Sequence, residues 1–289
     1  MRISLITPSL NQGKYIKRAI ESVLAQRALD IEFIVVDGGS TDETLSILKR
    51  YESKLRWISE PDSGPAEALN KGFRQSTGSV LCWLNADDIY YPGALDKVIT
   101  YLENNPSCEV LYGKATHIDV NDQVLRLYPT KEWNFAEFQD ECFICQPAAF
   151  FRRSVFELYG PFNENVRCMD YEFWLRLGLK SVHFQYYPKL LAATRLHGAA
   201  FTVAHRLDVH REINDFTRKL LGRTPETWIH GWACALAEDM GIQPGSYGFY
   251  VLGCAIFPLF ASLRWNGSIS KAMVSEIIRK IYLLVWNKK

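Results

Sequence analysis

Through the first hundred residues the apolar positions alternate between two patterns. Continuous runs at 3–7, 31–36, 55–58 and 80–84 have the length of buried strands, and between them apolar residues recur at helical spacing. Ile16, Ala19, Ile20, Val23 and Leu24 form one such stripe, which predicts a helix that buries it while Lys14, Lys17, Arg18 and Glu21 face water. Ser40-Thr-Asp-Glu43 has the form of a capping box, a hydroxyl at the N-cap and a carboxylate three residues on, and opens a helix to about residue 51. A further helix is predicted over 65–75, and Pro92 fits the first turn of another, where a missing N–H does no harm. Strands alternating with helices in this way build a parallel sheet covered on both faces.

After about residue 105 the alternation weakens. Strands at 110–118 and 124–128, separated by a turn at 119–122, read as an antiparallel pair, so the sheet becomes mixed. A helix over 170–179, a strand at 182–187 and a helix from near residue 203 follow. The expectation is an α/β, Rossmann-like protein: a mostly parallel mixed sheet with helices on both faces over 1–205, made of halves 1–104 and 105–205, and a helical region over 206–289.

The end of the chain differs in character. Residues 247–263 carry no charge but include Pro258, and after Arg264 apolar and basic residues alternate helically over 269–289. The uncharged run is slightly short for an unkinked membrane span. The leading expectation is a membrane-surface anchor with Trp265, Trp286, Lys288 and Lys289 near the headgroups; a soluble helical hairpin and a transmembrane segment are the alternatives.

Composition narrows the partners. With 289 residues, 48% hydrophobic and 22% charged, the chain can bury a full core. A formal net charge of +1 lacks the excess of Lys and Arg that a nucleic-acid-wrapping surface needs, so no nucleic acid partner is expected. Seven cysteines, an odd number scattered along the chain, fit reduced thiols in a cytoplasmic protein, and the lone Cys142-Phe-Ile-Cys145 pair reads as buried structural cysteines. The first apolar run is too short for a signal peptide, which places the amino-terminal part in the cytoplasm. With the tail as anchor, the protein would be peripheral on the cytoplasmic face of a membrane.

The candidate chemistry begins at Asn85-Ala-Asp-Asp88, immediately after the fourth apolar run. Adjacent carboxylates are thereby delivered to the carboxyl end of a buried strand, where open α/β sheets bind ligands. They repel one another unless a positive group sits between them, and a hard divalent cation with oxygen ligands meets that need. A metal-assisted reaction on a phosphate-bearing substrate is the first hypothesis, beside the plain reading of a solvated acidic turn. Two more polar loops, Thr7-Pro-Ser-Leu-Asn-Gln-Gly13 and Asp37-Gly-Gly-Ser-Thr-Asp42, follow the first and second strands. In a doubly wound sheet all three open onto the same edge. The glycines of the second loop allow a close backbone approach to a ligand, and Asp37 can accept hydrogen bonds from a base or ribose.

These motifs and others in the same order resemble the family 2 glycosyltransferases, which have the GT-A nucleotide-diphospho-sugar transferase fold. The resemblance runs from residue 1 to about 200. It rests on Thr7-Pro-Ser-Leu-Asn11, Glu21-Ser-Val-Leu-Ala-Gln26, Val35-Val-Asp-Gly-Gly-Ser-Thr-Asp42, Ser59-Glu-Pro-Asp-Ser-Gly64, Asn70-Lys-Gly72 and Asn85-Ala-Asp-Asp88. Farther on, Gln146-Pro-Ala-Ala-Phe-Phe-Arg-Arg-Ser154 with Gly160-Pro-Phe162 is similar to the family's acceptor-side segment. Met169-Asp-Tyr-Glu-Phe-Trp-Leu-Arg176 is similar to the region that supplies its base.

The resemblance implies an inverting, metal-dependent enzyme whose 1–104 half binds a nucleotide-sugar, most often a UDP-sugar, and whose 105–205 half binds the acceptor. Asp37 and the backbone of Thr7, Pro8 and Ser9 would hold the nucleoside, with Asn11, Gly39, Asp62, Asn70 and Asn85 in the same binding set. Asp87 would lie near the ribose and the metal, and Asp88 would bind Mn²⁺ or Mg²⁺ on the diphosphate, with His197 as a further ligand. Asp170 would take the proton from the acceptor hydroxyl; an Asp at a helix start also favours the helix dipole. The acceptor would be a saccharide or a lipid-linked saccharide in cell-surface polysaccharide or glycolipid synthesis. Arg152, Arg153 and Arg176 are either phosphate contacts or solvated arginines, and His117, His183, His205, His210 and His230 read as packing or solvent contacts.

Two positions depart from the commonest family pattern. Asp37-Gly38 stands where many members have two acidic residues, and Leu69 stands where many have Arg before the Asn-Lys-Gly motif. Two other functions share parts of this pattern. A sugar-1-phosphate nucleotidyltransferase needs a glycine-rich, basic first loop, which residues 7–13 lack. A noncatalytic nucleotide-sugar-binding protein has no need of Asp87, Asp88 and Asp170 together.

Overall fold

The computed structural model describes residues 1–27, 30–198, 201–242 and 247–286, and leaves out the side chains of 247–252, 254, 280–281 and 283–286. The described residues form two compact units, Met1–Phe135 with Cys142–His197, and Ala136–Glu141 with Gly198–Lys289.

The first unit is a nine-stranded mixed sheet. Its strands are β1 (Ile3–Ser9), β2 (Ile31–Asp37), β3 (Arg56–Ser59), β4 (Val80–Trp83), β5 (Ile89–Tyr90), β6 (Val110–Ile118), β7 (Val124–Leu127), β8 (Ala149–Arg152) and β9 (Phe184–Arg195). Their order is β3-β2-β1-β4-β8-β6-β9-β5, with β7 paired to β6. Parallel pairing joins β1 to β2 and β4, β2 to β3, and β6 to β9. Antiparallel pairing joins β8 to β4 and β6, β7 to β6, and β5 to β9. Every residue of β1 and β4 is buried, as expected of central strands covered on both faces.

The connecting helices are α1 (Gly13–Leu24), α2 (Thr44–Arg50), α3 (Pro65–Arg74), α4 (Ala94–Asn104), α5 (Phe135–Phe138), α6 (Arg153–Tyr159) and α7 (Met169–Leu179). In α1 the stripe Ile16, Ala19, Ile20 and Val23 is buried while Lys14, Lys17, Arg18 and Glu21 are exposed. Pro65 opens α3 at its first turn, after a Gly64 whose φ of 139° suits only glycine. Pro92 does not open α4: Gly93, at φ 70°, intervenes, and the helix starts at Ala94. The capping box is also absent. Ser40 Oγ turns inward to Asp37, and the N–H of Thr44 is taken by Asp42 Oδ1 at 2.9 Å.

The strand at 182–187 is longer than its sequence pattern predicts. Along β6 the partner moves from Tyr187 opposite Gly113 to Leu190 opposite Lys114, so Pro188 and Lys189 are bulged out and β9 resumes its pairing to Arg195. A proline ends an apolar run on paper, whereas in the sheet a bulge absorbs it.

The second unit is helical, with α8 (Phe201–Ala204), α9 (Arg206–Leu221), α10 (Glu226–Asp239), α11 (Tyr247–Asn266) and α12 (Lys271–Trp286). Ile229, Ala255, Ala261, Trp265, Met273 and Ile277 form its own apolar cluster. No helix among the described residues is long and apolar enough to cross a membrane. Trp265 is not a headgroup aromatic: it is buried, its ring lies 5.1 Å from that of Trp232, and its Nε1–H donates to Asp215 Oδ1 at 2.7 Å. The side chain of Trp286, and Lys288 and Lys289, lie outside the described residues.

Helix α3 lies close against the sheet at Gly72, where an added Cβ would lie 2.6 Å from Ile6 Cγ2 in buried β1. Gly72→Ala is therefore expected to cost about 1–3 kcal/mol through overpacking. The urea midpoint should fall with an unchanged m-value; an unaltered midpoint contradicts this packing.

Candidate active site

Parallel register levels the ends of the amino-terminal strands. Ser9 stands opposite Asp37, Asp37 opposite Ser59, and the Leu84 N–H just past β4 donates to Ile6 O at 3.0 Å. The loops after β1, β2 and β4 therefore open on one edge, and the first two are stitched together. Asn11, at φ 51°, donates its N–H to Ser40 Oγ at 2.7 Å and accepts from Thr41 N–H at 2.9 Å. Gln12 N–H donates to Thr44 Oγ1 and Gly13 N–H to Asp42 Oδ2, at 3.0 and 2.9 Å. These bonds from the second loop satisfy donors at the start of α1 that no side chain of Gln12 caps.

Asp37 is the anchor of that stitching. Fully buried, it accepts from the N–H groups of Gly39 and Ser40 at 3.1 and 2.9 Å, from Ser59 Oγ at 2.7 Å, and from Ser40 Oγ. These four bonds use the acceptor capacity of a carboxylate, so Asp37 shapes the loop in this structure. Gly39 adopts φ 86°, and the open side of the loop faces Asp62, whose Oδ2 is 2.9 Å from where a Cβ on Gly38 would lie. Asp62 is half-buried, and burial raises its carboxyl pKa. Thr7 Oγ1 and Ser9 Oγ, buried in β1 beside this loop, meet no hydrogen-bond partner among the described residues. Buried hydroxyls of this kind call for a ligand or water.

The acidic tetrad closes the edge on the other side. A turn with Asp88 N–H on Asn85 O at 3.1 Å leaves Asp87 partly exposed and Asp88 only 2% exposed. Burial, and after it the charge of Asp87, push the Asp88 carboxyl well above the usual carboxylate range. The opposing contributions come from β9: Arg195 N–H donates to Asp88 Oδ1 at 2.8 Å, and Thr194 adds a side-chain hydrogen bond. The Arg195 side chain, itself buried, donates Nε–H to Asp87 O at 2.8 Å and Nη1–H to Asp119 O at 2.6 Å, and pairs with Asp122 Oδ1 at 2.5 Å. His197 Nε2 lies 3.0 Å from Asp87 Oδ2, with its ring 4.9 Å from that of Tyr15.

Among the described residues no group of three or more His, Cys, Asp or Glu is gathered closely enough to hold a metal ion by itself. Asp87, in contact with His197, and the buried Asp88 offer one or two carboxylates at this edge, and a divalent ion held there would need phosphate oxygens to complete its shell. The penalty carried by the buried, repelled Asp88 carboxylate is one that a cation relieves.

Residues 4–160 match the glycosyl transferase family 2 model. The chain belongs to this family. It is similar to an uncharacterized glycosyltransferase of Rickettsia prowazekii (strain Madrid E), 28% identical over 96% of this chain and 90% of that protein. It superposes on S. aureus TarS (1–349) in complex with UDP-GlcNAc with a TM-score of 0.63 at 17% identity, covering 98% of this chain and 90% of that 1–349 chain. It superposes likewise on the mannosyltransferase PcManGT from Pyrobaculum calidifontis, in complex with GDP-Man and Mn²⁺, with a TM-score of 0.61 at 18% identity, covering all of this chain and 88% of the other. The mixed sheet and its helices are thus those of a GT-A fold, and the protein is a glycosyltransferase.

In this glycosyltransferase Asp170 stands in the first turn of α7 and is partly exposed. The buried thiol of Cys145, raised well above its ordinary pKa by burial first, feels the charges of both Asp88 and Asp170. In this structure the Asn70 side chain is committed to the fold: both its amide donors are used, to Phe162 O at 3.0 Å and Glu164 Oε1 at 2.8 Å, and its Oδ1 accepts from Phe162 N–H at 2.9 Å. It clasps α3 to the 160–164 loop.

The three arginines are structural as well. Arg152 donates to Leu102 O and Asn105 O at the end of α4 and to Cys108 O, and Arg153 to Phe73 O, Ser76 Oγ and Gly78 O beyond α3. Helix ends carry orphan carbonyls that a forked guanidinium matches. Arg176 pairs with Glu172 and donates to Pro161 O at 2.9 Å. The six described cysteines are free thiols, and Cys145 is buried.

Two site residues escaped the sequence reading. Arg195 belongs to no motif of the sequence. Gln146 donates from Nε2 to Trp83 O at 2.8 Å, at the end of β4, while its buried Oε1 meets no described partner. An arginine inside the apolar 190–196 stretch was the available signal for the first.

Asp37→Asn tests the loop-anchoring role. An amide turns an N–H₂ toward donors that need acceptors, so a loss of about 1–3 kcal/mol of stability is expected by thermal or urea unfolding. Wild-type stability with nucleotide binding lost would make Asp37 a ligand contact instead.

Proposed function

We propose that this glycosyltransferase moves a sugar from a nucleoside-diphospho-sugar, of the UDP class, to an acceptor hydroxyl, with divalent metal and with inversion at the anomeric carbon. The observation that carries the reading is the buried Asp88, its carboxyl pKa raised by burial and by Asp87, on the same sheet edge as His197 and the unpartnered hydroxyls of Thr7 and Ser9. TarS in complex with UDP-GlcNAc and PcManGT in complex with GDP-Man and Mn²⁺ support a nucleotide-sugar donor and a divalent ion.

On this reading Thr7, Pro8, Ser9, Asn11, Gly39 and Asp62 surround the nucleoside, and Asn85 and Asp87 lie toward the ribose and diphosphate. Asp88, Asp87 and His197 would hold the metal, which when bound would supply Lewis-acid stabilisation of the charge on the departing diphosphate. Asp170 accepts the proton of the acceptor hydroxyl as that oxygen attacks from the face opposite the diphosphate. Inversion follows from the single displacement. Saccharides, free or lipid-linked, for surface polysaccharide or glycolipid are the acceptor class, and free thiols fit a cytoplasmic enzyme.

Asp88→Asn is expected to remove Mn²⁺-dependent turnover from a protein that still folds; undiminished turnover takes Asp88 out of the mechanism. Asp170→Asn is expected to lower kcat by about 10²–10⁴-fold with donor affinity nearly unchanged. Normal kcat with weakened donor binding contradicts the base assignment. Proton NMR of the first-formed product distinguishes inversion from retention.

A further inference from the structure

The helical unit carries an apolar face that its own core does not use. On α11, Ile256, Phe260 and Leu263 recur at i, i+4 and i+7, and on α12 Val274, Ile278 and Tyr282 recur at i, i+4 and i+8. Phe260 is 66% exposed, Ile278 61%, Tyr282 57% and Leu263 51%. Ile269, between the helices, is exposed too. Single exposed apolar residues are ordinary, but stripes on two helices that follow one another in the chain, and whose opposite faces carry buried Ala261, Trp265, Met273 and Ile277, are not.

Charge says what covers this face. Residues 247–289 contain six Lys and Arg and one Glu, in a protein whose formal net charge is only +1. Arg264 and Lys271, both exposed, flank the stripes, and Glu276 is spent on Arg279 at 2.8 Å. A hydrophobic partner surface alone would not call for this concentration of cations. An acyl boundary roofed by anionic headgroups meets both features: apolar side chains enter the boundary while lysines and arginines pair with phosphates. Since no described helix is long and apolar enough to cross, the mode is flat association.

We infer that α11 and α12 form a surface-binding hairpin that docks the enzyme on a membrane rich in anionic lipid, through Ile256, Phe260, Leu263, Val274, Ile278 and Tyr282. This stands apart from the proposed catalysis, since vesicle binding is read without donor or acceptor.

The test is flotation of the full-length protein with vesicles of phosphatidylcholine alone and of phosphatidylcholine mixed with an equal amount of phosphatidylglycerol. Binding to the mixed vesicles, weakened by salt and at least about tenfold stronger than to neutral ones, is expected. Phe260→Glu with Ile278→Glu should lower the bound fraction about tenfold while the melting temperature and Mn²⁺-dependent turnover on a soluble acceptor stay unchanged. Arg264→Glu with Lys271→Glu should remove the preference for anionic lipid. Absence of binding to the mixed vesicles overturns the inference, as does binding that the Phe260/Ile278 variant retains. A stable dimer that this same variant dissociates, in a protein that ignores vesicles, assigns the face to a second copy and also overturns it.

Discussion

Two carboxylates held side by side in a turn repel each other, and the architecture around Asp87 and Asp88 is organised by that repulsion. Asp88 is almost wholly removed from water, so its charge is opposed by burial and by Asp87 together. A protein core does not keep such an arrangement unless something offsets it. Part of the offset is built in: the Arg195 N–H holds one Asp88 oxygen, and the Arg195 guanidinium reaches Asp87 O, Asp119 O and Asp122. That guanidinium is turned toward backbone oxygens and Asp122, which leaves the pair open toward the ligand edge. A proton on Asp88 or a bound cation offsets what remains.

The sheet supplies the geometry in which this has chemical use. Parallel pairing of β1 with β2 and β4 levels the strand ends, and Asp37 uses its carboxylate to fix the second loop against β3. The edge so formed carries the unpartnered Thr7 and Ser9 hydroxyls and the half-buried Asp62 on one side, and Asp87, Asp88 and His197 on the other. β9 contributes the second half of the site. Its bulge at Pro188 and Lys189 lets the strand continue to Arg195, and so brings Arg195 and His197 beside the tetrad. Gln146, on Trp83 O, ties the acceptor-side segment to the end of β4.

Much of this was legible from the chain because buried parallel strands write themselves as continuous apolar runs, and loops after them carry polar residues with few alternative uses. Strands β1, β2 and β4 and the edge they share follow from that pattern. What stayed illegible depends on contacts between distant segments. A proline in an apolar stretch reads as a terminus, and only the β6 partner reveals the bulge that carries β9 through it. Ser40 and Glu43 have capping-box spacing, but Asp37 competes for Ser40 and wins because it is buried and has several acceptor positions to fill. Asn70 and the arginines at 152 and 153 have the chemistry of ligand contacts, yet helix ends and a loop nearly a hundred residues away claim them first. A polar side chain's partner is set by which unsatisfied backbone groups the fold brings near it, and local sequence does not record those.

The central claim is that the acidic turn after β4 holds a divalent ion against the donor diphosphate. Anomalous scattering from crystals grown with Mn²⁺ and a nucleoside diphosphate tests it most directly. A manganese peak within coordination distance of an Asp88 oxygen, with Asp87 or His197 adjacent and diphosphate oxygens completing the shell, is the result expected. A diphosphate bound at this edge with no manganese beside Asp88, or manganese bound elsewhere on the chain, contradicts the account.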